Sequence, residues 1–145
     1  MTLFRFYPPF LGAGIRVKDF KADLTYVLVQ MKMHFWNKNY VGTHFGGSLY
    51  TMTDPFYMLM LLKNLGSDYI VWDKSATIRY KKPAIGTVFA RFELSQEQIN
   101  DLKAQVETHK VVEPKFTILI TDAQGTVFVE IEKTLHIKLK RKSID

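Results

Sequence analysis

The chain has 145 residues, 47% of them hydrophobic and 14% aromatic, enough for one sizeable core and too few for a second domain. It carries no cysteine, which excludes disulfides, thiolate metal sites and a cysteine nucleophile, and agrees with a reducing compartment. The net charge of +6 draws heavily on Lys138, Lys140, Arg141 and Lys142, a cluster that reads as a solvated terminus or as an attraction for polyanions.

Arg5 followed by Pro8 and Pro9 lacks the apolar stretch and small-residue cleavage site of a signal peptide. The longest apolar run, 56–62, is far shorter than the roughly 20 residues a bilayer core needs, so a cytoplasmic protein without a membrane span is expected. A first strand is expected over 15–20. From Val27 the residues Val27, Val29, Met31, Met33 and Phe35 alternate with Leu28, Gln30, Lys32 and His34, the period of a half-buried strand. Turn-forming residues over 37–42 then break the pattern.

Phe45, Leu49, Met52, Phe56, Leu59 and Leu62 recur at steps of three and four, and the extra apolar residues around them describe a helix surrounded on most sides. Pro55 leaves two forms open. Either the helix begins near Gly46 and kinks, or it begins at Pro55 with Asp54 as its cap. Period two returns with Ala76, Ile78 and Tyr80, and again with Val88, Ala90, Phe92 and Leu94, across a turn over 83–86. Ser95 with Gln98 forms a capping-box signature before Ile99, Leu102 and Val106, a short amphipathic surface helix. Strands over 115–121 and 126–138, joined by a tight turn over 122–125, should pair as a hairpin. The class is α+β: an antiparallel sheet curled around one long central helix, in a single domain over 1–145.

Three segments resemble the hotdog thioesterase superfamily, in particular its bacterial branch related to phenylacetate-degradation thioesterases. The first runs from Asn39 through Gly46 and Gly47, with Asp54 seven residues further on. The second runs from Ile78 through Tyr80, Lys81, Lys82 and Pro83 to Thr87, and the third is the closing hairpin. One departure matters: Phe45 stands where that branch carries the His of His-Gly-Gly, and the histidine sits one place earlier as His44. The run Gly42 to Ser48 instead looks like a less characterised hotdog group with Gly-Thr-x-Phe-Gly-Gly-Ser.

The resemblance implies a hotdog fold, a homodimer or homotetramer, and hydrolysis of an acyl-CoA or related thioester at a subunit interface, with coenzyme A entering only as part of the substrate. It makes Asp54 the general base or carboxylate nucleophile, its apolar neighbours Met52, Phe56 and Tyr57 able to raise its pKa; a plain helix cap is the competing role. Asn39 would orient water or the thioester, and could equally be a turn residue. Phe45, Gly46, Gly47 and Ser48 would shape the acyl and oxyanion site, the glycine N–H groups facing a carbonyl oxygen, or they simply pack the turn. Asp73 falls on the strand that in related thioesterases supplies a polar side chain near the reacting centre; otherwise it is a solvated turn residue. Arg79, Lys81 and Lys82 could meet the phosphates of coenzyme A, or solubilise a strand.

His34, His44, His109 and His136 show no metal-ligand spacing, so no metal is assigned. Ser48 lacks a Gly-x-Ser-x-Gly elbow, which argues against a serine hydrolase. A second function class is a non-catalytic acyl-CoA or lipid-binding module, with Phe45 marking the loss of hydrolysis. A nucleic-acid binder would rely on the basic end, but no helix-turn-helix or basic helix accompanies it. A dehydratase would need the displaced histidine.

Overall fold

The computed structural model describes residues 7–140. Arg5, Arg141 and Lys142 lie outside them. A short helix that the periodicity did not foreshadow, α1 (Pro8–Ala13), opens the described chain. Its prolines occupy first-turn positions that need no intrahelical N–H, and Gly14 ends it at φ 74, a backbone angle that favours glycine.

The first two strands are β1 (Ile15–Phe20) and β2 (Tyr26–Met31). The alternation expected to run to Phe35 stops at Met31 because the buried Asn37 turns the chain. Its Oδ1 accepts from the His34 N–H at 2.7 Å, and its Nδ2 donates to the carbonyls of Ala13 and Lys32 at 2.9 and 2.8 Å. Phe35 is left 85% exposed, a correction to its expected strand position.

Both helical alternatives are realised in part. α2 (Gly46–Thr51) and α3 (Phe56–Leu65) follow one path with a break between them. Thr53 marks the break, its hydroxyl and N–H both donating to the Tyr50 carbonyl at 2.8 Å. Pro55 occupies the N-cap position of α3 without a side-chain cap, so Asp54 does not cap this helix.

β3 (Tyr69–Tyr80) has 12 residues and starts earlier than the alternation at Ser75 suggested. β4 (Val88–Glu93) leads into α4 (Gln96–His109), whose capping box forms as expected: Gln98 N–H donates to Ser95 Oγ at 3.1 Å and Ser95 N–H to Gln98 Oε1 at 2.9 Å. A two-residue strand, β5 (Val111–Val112), precedes β6 (Lys115–Thr121) and β7 (Val127–Leu139). The last two pair as the expected hairpin, its turn held by Asp122 Oδ1, which accepts from the N–H groups of Gln124 and Thr126.

All pairings are antiparallel, and the seven-stranded sheet runs β1-β2-β4-β6-β7-β3, with β5 beside β7. This is the hotdog arrangement, the sheet curling around the buried face of α3. Phe56 and Tyr57 of α3 meet Phe92 of β4 at ring separations of 4.9 and 5.3 Å, and Met60 and Leu61 join the same core. Each large side chain so buried contributes roughly 1.5–3 kcal/mol, which stabilises a helix too short to persist alone. Among the described residues no helix is long and apolar enough to cross a membrane.

Two features of the sheet position the site. Among the described residues β3 lies at its end, hydrogen-bonded to β7 on one side. A bulge at Lys74 shifts the register between Asp73, opposite Leu135, and Ser75, opposite Thr134.

A lysine between two carboxylates as the candidate site

The inward face of β7 reads Val129, Ile131, Lys133, Leu135 and Ile137, all buried. Lys133 is the exception in chemistry but not in burial, its side chain being 0% exposed. A buried ammonium is tolerable only when paired and hydrogen-bonded. Here it donates to the main-chain carbonyl of Asp54, to Asp54 Oδ1 at 3.2 Å and to Asp73 Oδ2 at 3.0 Å, and it faces the Tyr50 ring with 5.8 Å to the centroid.

The local structure explains each member. Strand alternation turns Lys133 inward. The bulge keeps Asp73 on the core side while Lys74 points out to Glu113 at 2.7 Å. The break between α2 and α3 exposes the Asp54 carbonyl and leaves its carboxylate, 49% exposed, reaching between Lys133 and solvent.

Burial pushes the Asp73 carboxyl above the usual carboxylate range and the Asp54 charge adds to that rise, while the bond and charge of Lys133 pull it back down. Asp73 Oδ1 is buried without a hydrogen-bond partner among the described residues. The Tyr50 hydroxyl is pushed up to about 12, first by burial and then by the nearby Asp54 carboxylate. It stays a neutral donor. The cluster thus joins two carboxylates, one cation and one phenol at a partly open surface.

Most of the other residues singled out from the sequence line two cavities that include none of Asp54, Asp73, Lys133 and Tyr50. Gly46 and Asn39 line a cavity of about 500 Å³ together with Thr43, Tyr80, Lys81 and Lys82. Phe45, Gly47 and Ser48 line another of about 500 Å³, against α1 and Trp36. The two glycines fill the packing role. A Cβ on Gly46 would lie 3.1 Å from the Tyr80 hydroxyl oxygen, and one on Gly47 would lie 2.5 Å from the Phe45 ring.

Asn39 has no spare hydrogen-bonding capacity in this arrangement. Its Nδ2 donates to Thr43 Oγ1 and the His44 carbonyl, and its Oδ1 accepts from the N–H groups of Val41 and Thr43. It organises the loop in the manner of a turn residue. His44 points inward, 2% exposed, with Nε2 at 2.8 Å from the Gly86 carbonyl. A carbonyl only accepts, so Nε2 carries the proton, and burial holds the ring's pKa below its ordinary value. Phe45 takes the exposed place next to it.

Arg79 and Lys81 both pair with Glu130 on β7, at 3.1 and 2.5 Å, while Lys82 has no ion-pair partner among the described residues. Lys138, at the basic end, packs its ammonium 5.3 Å from the Trp72 ring centroid.

Sequence reasoning singled out Asp54 and Asp73, which the structure brings together, and missed Lys133 and Tyr50. The signal for Lys133 was present: it occupies an apolar register between Ile131 and Leu135, where a charge needs a partner.

The model of the family described as domain of unknown function DUF4442 matches residues 1–137. Among curated proteins none matches the sequence. The solved structures it is similar to include PA5026 of Pseudomonas aeruginosa, a protein of unknown function described as a probable thioesterase. That likeness has 23% identity over 88% of this chain and 85% of that one, with a TM-score of 0.79. Thioesterase HI1161 of Haemophilus influenzae shares 14% identity over 99% and 91% of the two chains, TM-score 0.68. The E. coli PaaI protein from the phenylacetic acid degradation operon shares 12% over 96% and 89%, TM-score 0.64. These likenesses carry the hotdog fold.

Proposed function

We propose that this chain, which belongs to the DUF4442 family, hydrolyses acyl thioesters, with Asp54 as the reacting carboxylate, at an interface between two copies. The observation that carries this reading is the state of Asp54. It sits next to a helix start yet does not cap it, and its carboxylate is half exposed with a second carboxylate held beside it. A residue released from the common structural role and kept at the surface by a buried cation is available for chemistry.

In the hydrolysis, a water oxygen attacks the thioester carbonyl carbon as Asp54 takes its proton. The carbon–sulfur bond then breaks, and the proton passes to the departing thiolate, leaving a carboxylic acid and a free thiol. First-turn N–H groups at Gly46 and Gly47 lack intrahelical acceptors and suit the oxyanion. Asn39 acts at one remove, by holding their loop.

The unpaired edge of β3 supports association. Along its twelve residues, alternate backbone N–H and C=O groups face away from β7 and form a template for a second copy, and Asp73 lies on this strand. Pairing there would wall the open side of Asp54, as an acyl chain in water requires. Lys82, joined by Arg79 and Lys81 once they leave Glu130, offers charge to the phosphates of coenzyme A.

The experiment is a thiol-release assay against short, medium and long acyl-CoAs, with Asp54→Ala and Asp54→Asn beside the parent. Collapse of turnover in both folded variants is expected. The inward His44 and the fully bonded Asn39 favour a second reading, a non-catalytic acyl-CoA-binding module. A folded parent that binds acyl-CoA and releases no thiol would select it.

A further inference from the structure

We infer that Lys133 is the positioning residue of this site, fixing the Asp54 carboxylate against Asp73 through one buried ammonium. The inference deepens the thioesterase reading and rests on it for its consequence in turnover.

An ammonium has three hydrogens, and each has an acceptor here: the Asp54 carbonyl, the Asp54 carboxylate and the Asp73 carboxylate. The first two come from one residue. Lys133 therefore fixes both the main chain at the helix break and the direction of the side chain that leaves it. The third ties that residue to the edge strand 60 positions before the lysine.

A simple structural link would not need this arrangement. The neighbours of Lys133 on its own face are Ile131 and Leu135, and an apolar side chain there would complete the core without desolvating a charge. What the apolar side chain could not do is hold Asp54 out of the capping position that Pro55 invites. Among the described residues Lys133 alone forms an ion pair with Asp54.

Asp73 completes the unit. It takes one oxygen to the ammonium and keeps Oδ1 buried and unpartnered among the described residues. The Tyr50 ring lies under the ammonium, its centroid 5.8 Å from it, and its hydroxyl stays protonated near the Asp54 carboxylate.

The test uses the full chain with Lys133→Ala, Lys133→Met and the double variant Lys133→Met with Asp73→Asn. Four quantities are read: kcat and KM for acyl-CoA, the melting temperature, and the titration of the Asp73 carboxyl by carbon NMR. In Lys133→Met, kcat should fall about 100-fold or more while KM stays within about two-fold, because an interaction used only in reaching the transition state is lost. The Asp73 carboxyl should titrate higher than in the parent, having lost the group that lowers it.

Propylamine added to Lys133→Ala should restore turnover saturably, and propanol of similar size should not. A purely structural lysine would respond to neither, or to both alike. Should the alanine variant fail to fold, the double variant removes the cation and a buried charge together, and it should be folded and still without turnover. Parental kcat in any folded Lys133 variant, or an Asp73 titration unmoved by the loss of Lys133, overturns the inference and leaves the thioesterase reading intact. A parent that releases no thiol while its Asp73 titration still depends on Lys133 does the reverse: the coupling of the carboxylates stands and the thioesterase reading falls.

Discussion

Tyr80 donates its hydroxyl to the carbonyl of Gly46 at 3.2 Å, and a Cβ on Gly46 would stand 3.1 Å from that same hydroxyl oxygen. The third strand and the first turn of α2 are therefore in contact at a spacing that only glycine allows without movement. Because the ring of Tyr80 is exposed, it can give way. Gly46→Ala is expected to cost less than about 1 kcal/mol of stability, the range of surface substitutions, yet to lower turnover by about ten-fold or more by displacing the N–H groups beside it. Thermal melts set beside the thiol-release rate check this; equal losses in both would assign Gly46 to packing alone.

His44 ties its loop to the turn at Gly86 through Nε2, and burial disfavours a charge on its ring. Burial lowers the folded pKa below the ordinary 6.5, so the unfolded chain takes up the proton first as pH falls. Stability is full above about 6.5 and is lost as pH falls from there through the folded value. Melting temperatures of the parent and His44→Gln, measured from pH 7.5 to 5, should converge towards the acid end. Parallel curves would show that this ring does not titrate during unfolding.

Glu130 holds Arg79 and Lys81 in one exposed pair of bridges. If these cations and Lys82 meet the phosphates of coenzyme A, Glu130→Gln should lower KM for acyl-CoA about three-fold, and Lys82→Glu should raise it by about ten-fold. Neither change should alter KM for an acyl-pantetheine, which lacks the nucleotide phosphates. Added salt should weaken the acyl-CoA effect by screening. Matching shifts with both substrates would remove the phosphate role.

Association through the free edge of β3 is tested at Thr77, an exposed residue paired across the sheet with Glu132. Lysine at that place faces the Glu132 carboxylate within its own chain, which favours folding, and would add charge to the free edge, which would oppose pairing with a second copy there. Sedimentation of the parent should show a multiple of the 16.9 kDa chain mass. Thr77→Lys should shift it towards monomer and reduce turnover together. A parent sedimenting as a monomer with full activity would end the interface reading.

Much of this molecule is written locally. Alternation placed the hairpin of β6 and β7, the strand β4 and the start of β2, and the Ser95 and Gln98 pair placed the start of α4, because each depends on residues within a few positions of one another. The site was legible only in its halves. Asp54 and Asp73 stood out by type and by resemblance, but the competing role of Asp54 as a cap was just as readable, and no neighbour in sequence excludes it.

Tertiary structure decided that question. The group that turns Asp54 away from capping is 79 residues distant, and it reaches Asp54 only because β7 lies between β6 and β3 in the sheet with Lys133 on the inward face. The bulge at Lys74 then keeps Asp73 on the same face. By itself the sequence determined which segments alternate, which coil and where charge interrupts an apolar register. Which carboxylates share the buried charge depended on strand order and register, since hydrogen-bonded ladders and side-chain burial are satisfied by partners that local periodicity does not name.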